Sequence, residues 1–235
     1  MKKEQLAALF TLSADERRAI IDAHIAAGVA VPFPDTVFIG KDVAVAPGAV
    51  ILANSMLFGS TRVDEGCVIG PNTMLFDTAV GSGTVLNNVE AEQAEIGKKC
   101  DIGPFVHIRP GSKLGDEVHL GNFVEVKNST IDRGTKVSHL TYVGDSDVGK
   151  NCNFGCGTVT VNYNGKTKAR CTIGEHCFLG CNTNLIAPVT LGDFSYTAAG
   201  STITDDVPAD ALAVARARQV NKEGWVLRKK PYKDR

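Results

Sequence analysis

The sequence has few rings and almost no charge imbalance. Aromatic residues make up 6% of its 235 residues, with one Trp, and the formal net charge is −1. A chain so balanced sets up no overall field for nucleic acid or a membrane surface. No stretch approaches the roughly 18 consecutive apolar residues of a membrane span. The N-terminal "MKKEQLAALFTLSADERRA" has no signal-peptide apolar run or cleavage site, so the expected compartment is the cytoplasm. The seven cysteines are an odd number, which argues against a complete disulfide framework.

What is abundant is small or aliphatic. Glycine numbers 24 and hydrophobic content is 43%, above the usual glycine share of about 7%. Such a composition suits repetitive β-structure better than a helical bundle. The length allows one large domain or two small ones. Residues 1–28 read as helical, with Ser13 and Glu16 as a capping box and Gly28 as the stop. A proline-punctuated link, "VPFPDT", follows.

From residue 37 an aliphatic residue recurs every sixth position. Ile39, Val45 and Ile51 form one run; Leu57, Val63, Ile69 and Leu75 a second; Ile96 to Val126 the longest. Ile131, Val137 and Val143 follow, then Val148, Phe154 and Thr160, then Ile173 to Ile203. A hexapeptide beat of this kind predicts a parallel β-helix, three hexads to a coil, with the aliphatic residue inward. The expected boundaries are 1–36 for the helical segment and linker, 37–208 for the β-helix and 209–235 for a tail. The spacings Cys152/Cys156 and Cys177/Cys181 look like metal-site spacing. However, Cys67, Cys100, Cys152, Cys171 and Cys177 occupy the small inward slot, where buried cysteine acts as a small hydrophobe.

Residues 18 apart stack on one face. Arg109 and Lys127 are so related. After correction for a five-residue step and the 161–171 loop, His139, Cys156, Cys181 and Ala199 fall in one column. A histidine at the head of a line of small residues suits a base beside a long, thin acyl donor. Tyr142 and Asn153, each five after a beat, are expected near corners. His107, His119 and His176 read as solvated polar slots.

Several motifs now carry a resemblance: "IRPGSKLG", "LGNFVEVK", "SHLTYVGD", "GCGTVTVNYNGKTK", "FLGCNTNLIAPVTLG", "TAAGSTIT" and "RQVNKEGW". Together they resemble the acetyltransferase domain of the bifunctional N-acetylglucosamine-1-phosphate uridyltransferase/glucosamine-1-phosphate N-acetyltransferase family, one of the hexapeptide-repeat acyltransferases. The resemblance covers about residues 96–226. It implies an all-β fold, a left-handed parallel β-helix, acting as a homotrimer with sites between subunits. It implies N-acetylation of glucosamine 1-phosphate by acetyl-CoA, feeding UDP-N-acetylglucosamine and cell-wall precursors, with no metal. His139 would be the base. Arg109, Lys127, Tyr142, Asn153 and Lys168 would hold the sugar phosphate. Cys156, Asn162, Tyr163, Cys181, Ala199 and Arg216 would line the acetyl-CoA site. The family usually has alanine at 156 and serine at 181; cysteine stands at both here. About 36 residues precede the β-helix, with no Gly-rich nucleotide loop, so uridyl transfer is not expected and a separate uridyltransferase is a candidate partner.

Other readings remain open on the sequence. The acceptor is a different amino sugar phosphate or a nucleotide sugar; the chain is a metal enzyme of the γ-carbonic anhydrase type; or it is a non-catalytic scaffold. The histidines lack the close pairing the metal reading needs.

Overall fold

A computed structural model describes residues 11–229. The helix is shorter than its sequence suggests. It runs from Ala14 to Ala26, with the Ser13–Glu16 capping box formed in both directions. The helical reading of residues 1–10 lies outside the described residues, and Thr11 to Ser13 are not helical. At the other end the N–H of Gly28 bonds Ile25 O and that of Val29 bonds His24 O, the paired bonds of a Schellman stop. Val29 is buried and Ala30 already bridges to Val50, so the helix feeds directly into the first coil.

The rest is a parallel β-solenoid of triangular section. Its three faces are sheets of ten, nine and ten strands, and each strand pairs with strands one coil away. The first face runs from Phe38–Ile39 to Thr202–Ile203, the second from Ala44–Val45 to Val189–Leu191, and the third from Val50–Ile51 to Leu212–Ala213. The last of these lies within the segment read as a tail. Beat residues point inward: Ile51, Leu57, Ile69, Leu75, Ile108, Leu120, Val126, Val137 and Leu185 are 0% exposed. Each such burial stabilises by about 1.5–3 kcal/mol relative to exposure.

The beat is also more continuous than the sequence runs indicate. Between Leu75 and Ile96 it passes through Val80, Leu86 and Ala91, because Leu75 registers with Ala91, Val80 with Ile96 and Leu86 with Ile102. Steps of five residues and a small alanine hide it.

The second inward slot holds Ser, Thr, Cys, Val or Ala, and several of the Ser, Thr and Cys groups satisfy backbone carbonyls. Thr135 Oγ1 donates to Gly149 O at 2.8 Å; one coil on, Cys152 Sγ donates to Gly174 O at 3.0 Å. The five inward cysteines are 0–1% exposed, as the repeat position predicts.

Each corner places a residue in the left-handed region. One corner column carries Asn54, Asn72, Asn88, Phe105, Phe123 and Leu140, all with φ between 44° and 61°. Asparagine accepts this conformation readily; Phe and Leu are rare there. The two rings offset some of that cost by stacking at 5.4 Å.

The coils pack closely enough to require glycine in places. A Cβ on Gly121 would lie 2.1 Å from the backbone oxygen of Ser138 in the next coil. That oxygen belongs to a sheet ladder and cannot yield. Gly121→Ala is therefore expected to destabilise by about 2–3 kcal/mol, the upper end for overpacking. A thermal melt checks it, and an unchanged midpoint would show that the coils can part there.

Candidate active site

The first face carries the chemistry. His139 stands at its entry corner, at the end of strand Lys136–His139. Strand Tyr142–Gly144 crosses the face, and Asp145 stands at the exit corner beside Asn128. The column inferred from sequence is present. Leu120, Val137, Phe154, Leu179 and Thr197 are in register on successive coils, which aligns Asn122, His139, Cys156, Cys181 and Ala199 two residues on. Backbone bonds tie the column together: Asn182 N–H to Cys156 O and Gly200 N–H to Cys181 O, both 2.8 Å, and a longer bond from Gly157 N–H to His139 O. Arg216 lies one coil beyond Ala199, its Cδ beside Gly200. At about 4.8 Å per coil, the line from His139 to Arg216 spans roughly 19 Å.

The His139 side chain is exposed, and its imidazole has no hydrogen bond or ion pair among the described residues. A corner histidine held to the backbone is not what this position contains. In the Gly155–Gly157 turn above it, Gly155 N–H bonds Leu179 O at 2.7 Å and Gly157 N–H bonds His139 O. The N–H of Cys156 finds no backbone acceptor among the described residues.

At the exit corner three cations converge. Arg109 and Lys127 are register neighbours, Arg109 N–H bonding Val126 O at 2.8 Å. Lys168 is brought to them by a hairpin that no hexad spacing reveals: Tyr163 bridges antiparallel to Lys168, and Ala169 N–H returns to Asn162 O. The Lys127 ammonium pushes the Lys168 pKa down, with Arg109 adding to the effect. Lys127 itself is held up: of the two crowded lysines it keeps its proton at the expense of Lys168, and the Asp145 carboxylate at 3.5 Å adds to the effect. Like charges crowded in this way favour an anion between them.

Two carboxylates that sequence reasoning missed shape this cluster. Asp145 accepts from Asn128 Nδ2 at 2.5 Å, from Asn162 Nδ2, and lies 3.5 Å from Lys127 Nζ. Burial alone would raise its pKa; the two amides and Lys127 outweigh that and hold it below the usual carboxylate range. Its share of stability is therefore complete above its unfolded pKa near 4 and is lost as the pH falls through the lower folded value. Glu125 accepts from Arg109 Nη1 at 2.8 Å. The available signal was register: Asp145 lies one coil above Asn128.

Asn162, expected along the donor groove, donates its side-chain amide to Asp145 and to the Tyr142 hydroxyl, the latter at 3.4 Å. Tyr163 is exposed on the hairpin, its hydroxyl donating to Gly165 O. Tyr142 and Asn153 lie within strands rather than at corners, and on different faces: Tyr142 on the first, Asn153 on the third, preceding Phe154. Asn153 is thus apart from the cation cluster within one chain. Of the other histidines, His119 pairs with Asp101 at 3.3 Å and His176 stacks on Phe194 at 4.9 Å. His107 is not a solvated slot: its Nε2 is buried without a partner among the described residues, beside a first-face pocket of about 530 Å³.

Tyr142 lies over Gly144 on its own strand. A Cβ there would come 2.3 Å from the Tyr142 hydroxyl. A tyrosine side chain can swing away, so Gly144→Ala should leave the melt nearly unchanged while displacing Tyr142 from the cluster. The expected loss is about tenfold in kcat/KM, the effect of ~1.4 kcal/mol. Unchanged kinetics would exclude Tyr142 from substrate binding.

Among the described residues no group of three or more His, Cys, Asp or Glu could hold a metal ion, and no helix is long and apolar enough to cross a membrane. A solenoid of hexad coils with an unpaired histidine at one corner and a cation cluster at the next has the architecture of hexapeptide-repeat transferases. Residues 93–128 match the family model described as bacterial transferase hexapeptide (six repeats), and residues 170–205 that described as hexapeptide repeat of succinyl-transferase. Both matched stretches lie within the solenoid, so the repeat of its coils is of the hexapeptide-transferase type. It is 51% identical over 212 residues to the bifunctional protein GlmU of Geobacillus sp. (strain WCH70), covering 90% of this chain and 46% of that protein. For GlmU of Streptococcus thermophilus (strain CNRZ 1066) the figures are 48% over 225 residues, 96% and 49%. The chain therefore spans about half the length of the curated relatives it matches, their C-terminal half. The solved UDP-N-acetylglucosamine O-acyltransferase (LpxA) of Moraxella catarrhalis is 18% identical, covers 88% of this chain and 77% of its own, and has a TM-score of 0.39.

Proposed function

We propose that the chain is an acyltransferase that moves the acetyl group of acetyl-CoA to the 2-amino group of glucosamine 1-phosphate. The product, N-acetylglucosamine 1-phosphate, would feed UDP-N-acetylglucosamine and cell-wall precursor synthesis in the cytoplasm. The observation that carries the reading is the pairing of two adjacent features on one face: a histidine unpaired among the described residues that heads a column of small residues, and three cations set among the carboxylates of Glu125 and Asp145. The amine attacks the thioester carbon, His139 takes its proton, and coenzyme A leaves as the thiol. The developing oxyanion falls to the free N–H of Cys156, a preorganised donor of the kind that supplies much of acyl-transfer catalysis. Arg109, Lys127 and Lys168 hold the phosphate, and Tyr142 touches the sugar. Cys156, Cys181 and Ala199 leave room for the pantetheine arm, with Tyr163 beside it and Arg216 near the nucleotide end. Asn162, held by Asp145 and Tyr142, lines the donor site beside Tyr163.

The enzyme works as a homotrimer with sites between subunits. The separation of Asn153 from the cation cluster supports this, since a cleft using both needs a second copy. The test is thiol release from acetyl-CoA with glucosamine 1-phosphate, run beside other amino sugar phosphates and nucleotide sugars. No release above background with any acceptor would end the enzyme reading; faster release with another acceptor would reassign the substrate.

A further inference from the structure

We propose that Cys156 and Cys181 form a thiol–disulfide exchange site for the disulfide form of coenzyme A, with Cys156 accepting the coenzyme A sulfur and Cys181 resolving the adduct. The inference rests on the donor groove of the proposed function. It starts from how these two cysteines differ from the other five. Cys67, Cys100, Cys152, Cys171 and Cys177 are 0–1% exposed. Four of these thiols are bound to backbone oxygens of the next coil. Cys156 is half-buried and Cys181 exposed, both outward, and neither thiol is hydrogen-bonded among the described residues.

They are also neighbours. Phe154 registers with Leu179, which sets Cys156 beside Cys181, and Asn182 N–H closes the step onto Cys156 O at 2.8 Å. Adjacent strands stand about 4.8 Å apart, inside the ~4.4–6.8 Å that a disulfide spans between Cα atoms. On the other side of Cys156, one coil away, is His139. The column therefore reads base, thiol, thiol.

The groove brings the right sulfur to them. For acetyl transfer the amine must be in hydrogen-bond reach of His139 and about 3–3.5 Å from the thioester carbon. The coenzyme A sulfur is bonded to that carbon, so it lies over the next position in the column, Cys156. A disulfide of coenzyme A held by the same groove presents its sulfur there. His139 takes the proton of Cys156, the Cys156 sulfur attacks the coenzyme A sulfur, and the S–S bond breaks. The second half of the disulfide leaves as thiolate and is protonated. Cys181, giving up its own proton, then attacks the Cys156 sulfur and coenzyme A leaves as the thiol. In sum the protein loses two hydrogens as a Cys156–Cys181 disulfide and the added disulfide becomes two thiols. Both oxidised states obstruct the donor groove.

Intact-mass analysis and peptide mapping after treatment with coenzyme A disulfide, beside glutathione disulfide, test this independently of activity. The wild type should lose two hydrogens, mapped to Cys156–Cys181, and recover with dithiothreitol. Cys181→Ala should accumulate one coenzyme A on Cys156, and Cys156→Ala should form no such disulfide. Coenzyme A disulfide should react about tenfold faster or more, the effect of ~1.4 kcal/mol of groove binding. Equal rates with both reagents, labelling of a core cysteine, or an unmodified wild type would each overturn the inference. A chain that transfers acetyl groups when untreated but is not modified by coenzyme A disulfide refutes this inference alone. A chain that is modified as described but acetylates nothing refutes the proposed function alone.

Discussion

His139→Ala is expected to lower acetyl transfer by about 10²–10⁴-fold in kcat, the contribution of one well-placed general base, and to leave the thermal midpoint unchanged. The two halves of this expectation have separate causes. The imidazole is exposed and unbonded, so its loss removes no contact of the fold; surface changes of that kind stay within about 0.5 kcal/mol. Among the described residues its hydrogen bonds belong to the backbone, whose oxygen accepts from Thr141 Oγ1 at 2.7 Å and from Gly157 N–H. Alanine keeps both. The chemical loss arises because the attacking amine must shed a proton as the C–N bond forms, and no other histidine, carboxylate or amine stands between Asn122 and Ala199 in this column: its other members there are Asn122, Cys156, Cys181 and Ala199. KM for acetyl-CoA should change little, since alanine extends the line of small residues. Thiol release measured on equal amounts of folded protein decides the matter. A variant with the wild-type rate would remove His139 from the mechanism and leave the solenoid reading intact.

The fold was legible wherever the beat kept to six residues. Ile96 to Val126 could be read off the sequence because no step slips there, and the Arg109–Lys127 neighbours fell out of the same count. Two physical effects hid the rest. A coil can shed a residue at a corner without disturbing the core, so counting loses the face while the register is kept. Tyr142 and Asn153 illustrate it: both stand five after a beat, yet they precede beats on different faces. The second effect is that the 161–171 hairpin obeys turn chemistry rather than the repeat. Asn164 Oδ1 accepts from the N–H groups of Lys166 and Thr167, and this is what turns Lys168 back toward Lys127. Asp145 and Glu125 escaped notice because a carboxylate on an outward slot resembles any solvated surface residue until its partners are known.

Lys127→Ala should raise KM for the sugar phosphate by about 10–100-fold, with a smaller fall in kcat. Of the two cluster cations that form ion pairs among the described residues, Lys127 is the less exposed: its side chain is 19% exposed against 42% for Arg109, and that of its partner Asp145 is 6%. A hydrogen bond to a charged group contributes roughly 1.5–3 kcal/mol, which converts to that range of affinity. The electrostatics act in the same direction. With the ammonium gone, Asp145 remains ionised, held by the Asn128 and Asn162 amides, and now faces the phosphate without its counter-charge. The variant should also unfold earlier, by about 1–3 kcal/mol, because a mostly buried carboxylate has lost its ion pair. Adding Asp145→Asn separates the two effects. The double variant should regain most of the stability and part of the phosphate affinity, and its departure from additivity measures the coupling between the two residues. Glucosamine without the phosphate supplies the control: wild type and Lys127→Ala should acetylate it equally poorly. Equal losses on both acceptors would mean that Lys127 holds the fold of the corner rather than the phosphate, and the cluster would then be a structural ion-pair network.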